Sequence, residues 1–154
     1  MSQALQKPEK TDRGKLREFL CFGIYSANLA LAKVYKPLLE ELGLTYPQYL
    51  AMVLLWERDG RTIKELGEAL FLESNTVTPL IKRLEAAGYV ERRRDSEDER
   101  VVRVSLTEKG RAAETVGCLI PDKIVEASGM TAEAMSEMNA DLARLRDHIR
   151  AEID

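Results

Sequence analysis

Apolar residues recur at helical spacing along most of this chain, and the places where the spacing stops mark its elements. Over residues 15–42, Leu16, Phe19, Leu20, Gly23, Ala27, Leu31, Val34 and Leu38 keep to one face of a long helix. Pro37 is expected to bend or break that helix and Gly43 to end it. Thr45-Tyr46-Pro47-Gln48 opens a second helix, with threonine at the cap, glutamine three residues on and proline in the first turn. Through about residue 58 this helix is strongly apolar (Leu50, Met52, Val53, Leu54, Leu55, Trp56), which makes it a core member. Asp59-Gly60 is a turn, and Thr62 with Glu65 forms another capping box ahead of a helix whose buried positions are Ile63, Leu66 and Leu70. A further helix covers residues 74–87, with Pro79 in its first turns, where a missing amide hydrogen costs least; Gly88 stops it. The period then falls to two. Residues 89–92 and 101–106 alternate and are joined by Asp95-Ser96-Glu97-Asp98-Glu99, a ribbon with a charged tip. Thr107 caps another helix, interrupted near Pro121. Residues 131–153 form the last, with Met135, Met138, Leu142, Leu145 and Ile149 close to a helical period. Residues 1–13 are polar and mixed in charge, a frayed tail.

The helix at 74–87 divides into two faces. Val77, Leu80, Ile81 and Leu84 make one buried stripe, whereas Asn75, Thr76, Thr78, Lys82 and Arg83 carry hydrogen-bonding groups and positive charge on the other side. The major groove admits such a helix, so double-stranded DNA is the expected partner. Ser74, Asn75, Thr76 and Thr78 are candidates for base edges or phosphates, with Pro79 among them, and Lys82 and Arg83 for phosphates. Arg92 and Arg94 flank the ribbon tip, and Arg100 is its minor-groove candidate.

The expected fold is therefore mainly α with a small β-hairpin wing. A winged helix-turn-helix domain covers 46–107, helical dimerisation regions cover 15–45 and 108–154, and a flexible tail covers 1–14. The long helices at both ends leave apolar faces that the central module covers only in part. A homodimer accounts for those faces and suits a palindromic operator.

Composition narrows this picture. No stretch approaches the roughly 20 apolar residues of a membrane span and the N-terminus has no apolar signal region, so a cytoplasmic protein without membrane contact is expected. A net charge of −3 speaks against indiscriminate coating of DNA, but Lys82, Arg83, Arg92, Arg93, Arg94, Arg100 and Arg103 all fall inside the reading module. Two cysteines, Cys21 and Cys118, are too few for a disulfide scaffold and lack zinc-site spacing; either they are inert or one is reactive. The sole histidine, His148, has no ligand cluster near it, so no metal and no cofactor is expected.

The order of elements resembles the MarR family of winged-helix repressors over nearly the whole chain. The most specific local marks are Asp98-Glu99-Arg100, then Val104-Ser105-Leu106-Thr107 and Gly110, similar to the family's D-x-R wing followed by V-x-L-T-x-x-G. Chemically, an arginine on an extended hairpin can enter a narrow minor groove, and Asp98 can brace a neighbouring arginine. Leu20-Cys21-Phe22 with Tyr25, Tyr35-Lys36-Pro37-Leu38, Leu44-Thr45-Tyr46-Pro47-Gln48-Tyr49 and the run from Ser74 to Glu85 look like the organic-hydroperoxide sensors of that family, the OhrR group.

That resemblance implies that Cys21 is the peroxide-reactive residue and that Tyr35 and Tyr46 hydrogen-bond its sulfur. Tyr35 lies fourteen residues beyond Cys21, about 21 Å along a straight helix. If the two meet, Tyr35 comes from the other copy or the helix folds back at Pro37; Tyr25, four residues on, reaches Cys21 within its own chain. A thiolate attacks peroxide, and phenol donors favour it. Arg17 adds positive charge, and Phe19 and Phe22 offer an apolar rim suited to organic peroxides. Some members of the group resolve the oxidised sulfur with a second cysteine near the C-terminus. Here the stretch from Ile120 to Gly129 resembles that region, but Glu126 stands where the cysteine is expected, and Cys118 lies about two turns earlier. This favours a one-cysteine mechanism in which a low-molecular-weight thiol caps Cys21. Two alternatives stand beside it: a repressor of this fold released by a phenolic or other small ligand, and a thiol peroxidase using Cys21.

Overall fold

The computed structural model describes residues 14–154; all of the expected tail except Gly14 lies outside the described residues. A 3-10 turn at Leu16–Glu18 precedes α1 (Leu20–Leu42), α2 (Tyr46–Glu57), α3 (Ile63–Leu70) and α4 (Ser74–Ala86). The hairpin strands β1 (Val90–Arg94) and β2 (Val102–Leu106) follow, then α5 (Glu108–Ala112), α6 (Glu114–Gly117), α7 (Ile120–Ser128) and α8 (Ala132–Ile153). The fold is mainly α-helical with a small antiparallel wing, as expected. Among the described residues no helix is long and apolar enough to cross a membrane.

The chain divides into two units, 1–33 and 34–154, with the division falling inside α1. In the first unit no described residue is buried, and Leu16, Phe19, Leu20, Ile24, Tyr25 and Leu29 are all exposed. The second unit holds the core. Met52 and Leu55 of α2, Leu66 of α3 and Val77, Ile81 and Leu84 of α4 are fully buried, with Val90 and Val104 closing the core beneath the wing. Each of the larger side chains contributes about 1.5–3 kcal/mol by leaving water.

The helix starts follow their caps. Thr45 accepts from the Gln48 amide while Gln48 returns a bond to the Thr45 amide at 2.9 Å, and Thr62 and Glu65 repeat the arrangement. Thr107 and Thr131 cap α5 and α8 with a single bond each, their side chains accepting from the Gly110 and Ala134 amides. Gly43 and Gly88 adopt positive φ where α1 and α4 end. The interruption expected near Pro121 divides α6 from α7, and Pro121 sits in the first turn of the new helix.

Two proline expectations need correction. α1 runs unbroken through Pro37, because losing one amide donor leaves the rest of the helical ladder intact. Pro79 does lie in the early turns of α4, but as its sixth residue, so its missing amide withholds a hydrogen from the Asn75 carbonyl, and this is not where that loss costs least. The strands are also shifted. β1 starts one residue later than expected and continues to Arg94, in a register that pairs Val90 with Leu106 and Arg94 with Val102.

The wing is rooted on the α2–α3 turn. Asp59 Oδ1 accepts from the Leu106 amide at 2.8 Å, the Val104 amide donates to the Arg61 carbonyl at 2.8 Å, and Thr62 bridges to Arg103. Gly110 has a steric reason. A Cβ there would stand 2.1 Å from the Tyr89 carbonyl oxygen, so only glycine lets α5 lie against the start of the wing.

Candidate functional site

α4 presents the face expected of it. Ser74, Asn75, Thr76, Pro79, Lys82 and Arg83 are exposed and Thr78 is half-buried, while Val77, Leu80, Ile81 and Leu84 anchor the opposite side. The helix begins without a side-chain cap: the Glu73 carbonyl accepts from the amides of Thr76 and Val77. The polar side chains of this first turn are therefore not consumed in capping.

The wing's charges are mostly paired. Asp98 braces Arg100 itself, accepting from its Nε at 3.1 Å, its Nη2 at 3.3 Å and its backbone amide at 3.1 Å. These bonds, the Arg100 side chain's first, hold the Asp98 carboxyl below its ordinary range and keep it ionised. The Arg100 side chain is nevertheless 91% exposed, a braced cation at the hairpin tip. Arg94 donates to the Glu99 carbonyl at 2.9 Å and stays exposed. Arg103 is drawn to the wing's root, donating to the Gly60 carbonyl and to Asp95 Oδ2, both at 2.7 Å. Arg92, expected beside Arg94 as a DNA contact, points its guanidinium at Glu85 of α4, with Nε at 3.1 Å and Nη2 at 3.0 Å from Oε1.

Sequence reasoning missed Asp59, Glu85 and Asp95. Their one visible signal was acidic residues inside a basic module, which reads as diluted charge until the hairpin register shows what each faces.

The candidate sensor residues fall in both units. Cys21, the second residue of α1, is exposed, as is Tyr25 one turn on. In the second unit the structure brings Tyr35 and Tyr46 together, with ring centroids 4.7 Å apart and planes tilted by 56°. Tyr49 stands 6.4 Å from each of those rings and 6.2 Å, edge-on, from Trp56. Tyr49 donates its hydroxyl to the Gly117 carbonyl at 3.1 Å, and Trp56 Nε1 donates to the Gly110 carbonyl at 2.9 Å. Burial first, and then the neighbouring Tyr46 phenol, push the Tyr35 phenol well above the usual range, so it remains an O–H donor throughout neutral pH. Tyr46 keeps an exposed edge, 41% accessible.

Cys118 is exposed between α6 and α7, with its thiol 3.4 Å from the Thr115 carbonyl. Glu126 lies on α7. With Val34, Pro37, Leu38, Lys123 and Ala127 it lines an open groove of about 610 Å³.

Comparison with known proteins places this arrangement in company. The family model described as "Transcriptional regulator SarA/Rot" matches residues 33–114. The organic hydroperoxide resistance transcriptional regulator of Bacillus subtilis is 43% identical over 136 residues, which cover 88% of this chain and 92% of that protein. The HTH-type transcriptional regulator TtmR of Methylorubrum extorquens is 43% identical over 142 residues, covering 92% of this chain and 73% of that one. Among solved structures, reduced AbfR bound to DNA superposes with a TM-score of 0.73 at 32% identity, covering 88% of this chain and 92% of that one.

Proposed function

The chain belongs to the MarR family of transcriptional regulators, and we propose that organic hydroperoxides control its hold on DNA through Cys21. The protein is a dimeric DNA-binding repressor related to the organic-hydroperoxide-sensing regulators, and not an enzyme. Residues 46–107 read a palindromic operator, α4 in the major groove and the wing tip, through Arg94 and Arg100, in the minor groove. Residues 15–45 and 108–154 build the dimer, and the protein works in the cytoplasm, where its operator lies.

What carries the sensor reading is the Tyr35–Tyr46 pair, two phenols with ring centroids 4.7 Å apart, one of them kept firmly protonated by its surroundings. Such a pair offers two hydrogen-bond donors to one sulfur. The sulfur they serve is, in this reading, that of the other protomer's Cys21, since fourteen residues of a straight helix would span about 21 Å. The thiolate attacks the terminal oxygen of the hydroperoxide and the O–O bond breaks. The sulfur keeps the hydroxyl as a sulfenic acid, and the alkoxide leaves and takes a proton from water to become the alcohol. The neutral sulfenic acid holds the two donors less firmly than the thiolate did. Tyr35 and Tyr46 shift, and the spacing of the two α4 helices changes with the interface. A low-molecular-weight thiol then condenses with the sulfenic acid, forming a mixed disulfide and releasing water.

The test is operator binding followed by fluorescence anisotropy during titration with cumene hydroperoxide. The wild-type dimer is expected to lose affinity at least about tenfold, and Cys21→Ser to keep it. A Cys21→Ser protein that lets go as readily as wild type would remove the redox mechanism. The open groove beside Lys123 and Glu126 supports a second reading, release by a phenolic or other small ligand, which predicts release by salicylate in both proteins.

A further inference from the structure

In a winged helix the recognition helix and the wing meet DNA in different grooves, so the angle between them decides whether both can be satisfied at once. In this protein one carboxylate spans that joint. Glu85, near the C-terminal end of α4, accepts three hydrogen bonds from a single residue of β1: the Arg92 amide at 2.8 Å on Oε2, and the Arg92 Nε and Nη2 at 3.1 and 3.0 Å on Oε1. Backbone and side chain of Arg92 are thus both tied to the recognition helix. The Arg92 side chain is only 28% exposed, against 79% for Arg93 beside it. The same bonds hold the Glu85 carboxyl below its ordinary range, so the strap stays charged at neutral pH.

The strand's period of two sets Arg94 on the same side of the ribbon as Arg92. Arg92 therefore occupies the side from which a phosphate contact is expected, yet its guanidinium is turned to Glu85 inside the protein, which takes its Nε donor and one on Nη2. On the ribbon's other strand, Asp59 and the Arg61 carbonyl hold β2 to the α2–α3 turn. The wing is fixed at both edges, and its tip reaches outward.

We infer that Glu85 is a positioning residue for operator binding: it holds Arg92 as an internal strap that locks the wing's angle to the recognition helix, and Arg92 itself contacts no phosphate. The inference rests on the repressor reading and adds to it a division of labour among the wing's arginines. Arg94 and Arg100 meet DNA, and Arg92 aims them. Charge-assisted, forked bonds of this kind are geometrically specific, which suits a joint that must not swing.

The experiment uses the full-length dimer, a duplex enriched by the wild-type protein from a random-sequence pool, and a scrambled duplex as non-specific probe. Glu85→Ala, Arg92→Ala and the double variant are compared by anisotropy from low to moderate salt, with Glu85→Gln as the shape-preserving control. The expected result is that either single variant loses about tenfold on the enriched duplex, that the double variant is no weaker than the singles, and that Glu85→Gln falls between. Binding of Arg92→Ala to the scrambled duplex keeps the wild-type salt slope, and hydroxyl-radical protection fades in the flanking minor grooves while the central contacts persist. A salt slope lowered by about one in Arg92→Ala on both duplexes would make Arg92 a phosphate ligand and overturn the strap. Losses that multiply in the double variant would overturn it equally. A wild-type protein that enriched no duplex would bring down the repressor reading and the strap together.

Discussion

At the scale of single residues, two glycines state how tightly the second unit is packed. A Cβ on Gly117 would stand 2.3 Å from the Trp56 ring, and one on Gly110 would press on the Tyr89 carbonyl. The Trp56 ring is held from the other side by its bond to the Gly110 carbonyl, so it cannot simply step away. Gly117→Ala is expected to cost about 1–3 kcal/mol of stability, read from urea denaturation midpoints at constant m. Glu65 makes a different kind of test. The Thr62 amide first, and then the Arg58 guanidinium, hold its carboxyl below the ordinary value of 4.5. A lowered folded-state pKa means the cap's charged contribution is complete above 4.5 and is lost as pH falls through the lowered value. The melting-temperature advantage of wild type over Glu65→Gln should therefore hold at neutral pH and vanish on strong acidification. An advantage that survived full protonation would mean that packing, and not the carboxylate, supports the cap.

At the scale of elements, what could be read from the chain was whatever depends on near neighbours. The capping boxes at Thr45 and Thr62, the caps at Thr107 and Thr131 and the stop at Gly88 all join residues within a turn of each other, and all stand where the pattern set them. Two faces of α4 were legible for the same reason, since a helical period needs no tertiary knowledge. Pro37 did not break its helix, because a proline's cost depends on how well the surrounding helix is held, and α1 continues past it. The bond from Arg92 to Glu85 was not legible because Glu85 lies across a helix end and a turn, beyond any local rule. Likewise the Tyr35–Tyr46–Tyr49 cluster joins α1 to α2 through packing that the spacing alone does not reveal. The exposed face of α4 leads to a separate expectation. Lys82→Ala should weaken binding to every DNA sequence alike and lower the salt slope by about one, measured by anisotropy across a salt series. A loss confined to one sequence, at unchanged slope, would make Lys82 a base-reading residue.

At the scale of the whole molecule, large apolar side chains among the described residues stay exposed in both units. Phe19, Leu20, Ile24 and Leu29 of the N-terminal stretch are exposed, and so are Met138, Leu142 and Ile149 of α8, a helix without one buried residue. A second copy covering such surfaces would unite three things: the dimer, the two recognition helices that the proposed palindrome requires, and the proposed pairing of Cys21 with tyrosines of the other protomer. The chemistry and the symmetry then stand or fall together. Heterodimers separate them most directly. In one, Cys21→Ser is placed in one protomer and Tyr35→Phe in the other; in the second, both substitutions share a protomer opposite a wild-type partner. The quantity to measure is the rate at which cumene hydroperoxide oxidises the remaining Cys21, by mass spectrometry, alongside loss of operator binding. If Tyr35 serves the sulfur across the twofold axis, the first heterodimer keeps one intact site and oxidises at the wild-type rate, and the second is slow and holds its operator. The reverse order, or equal rates in both, would contradict the account.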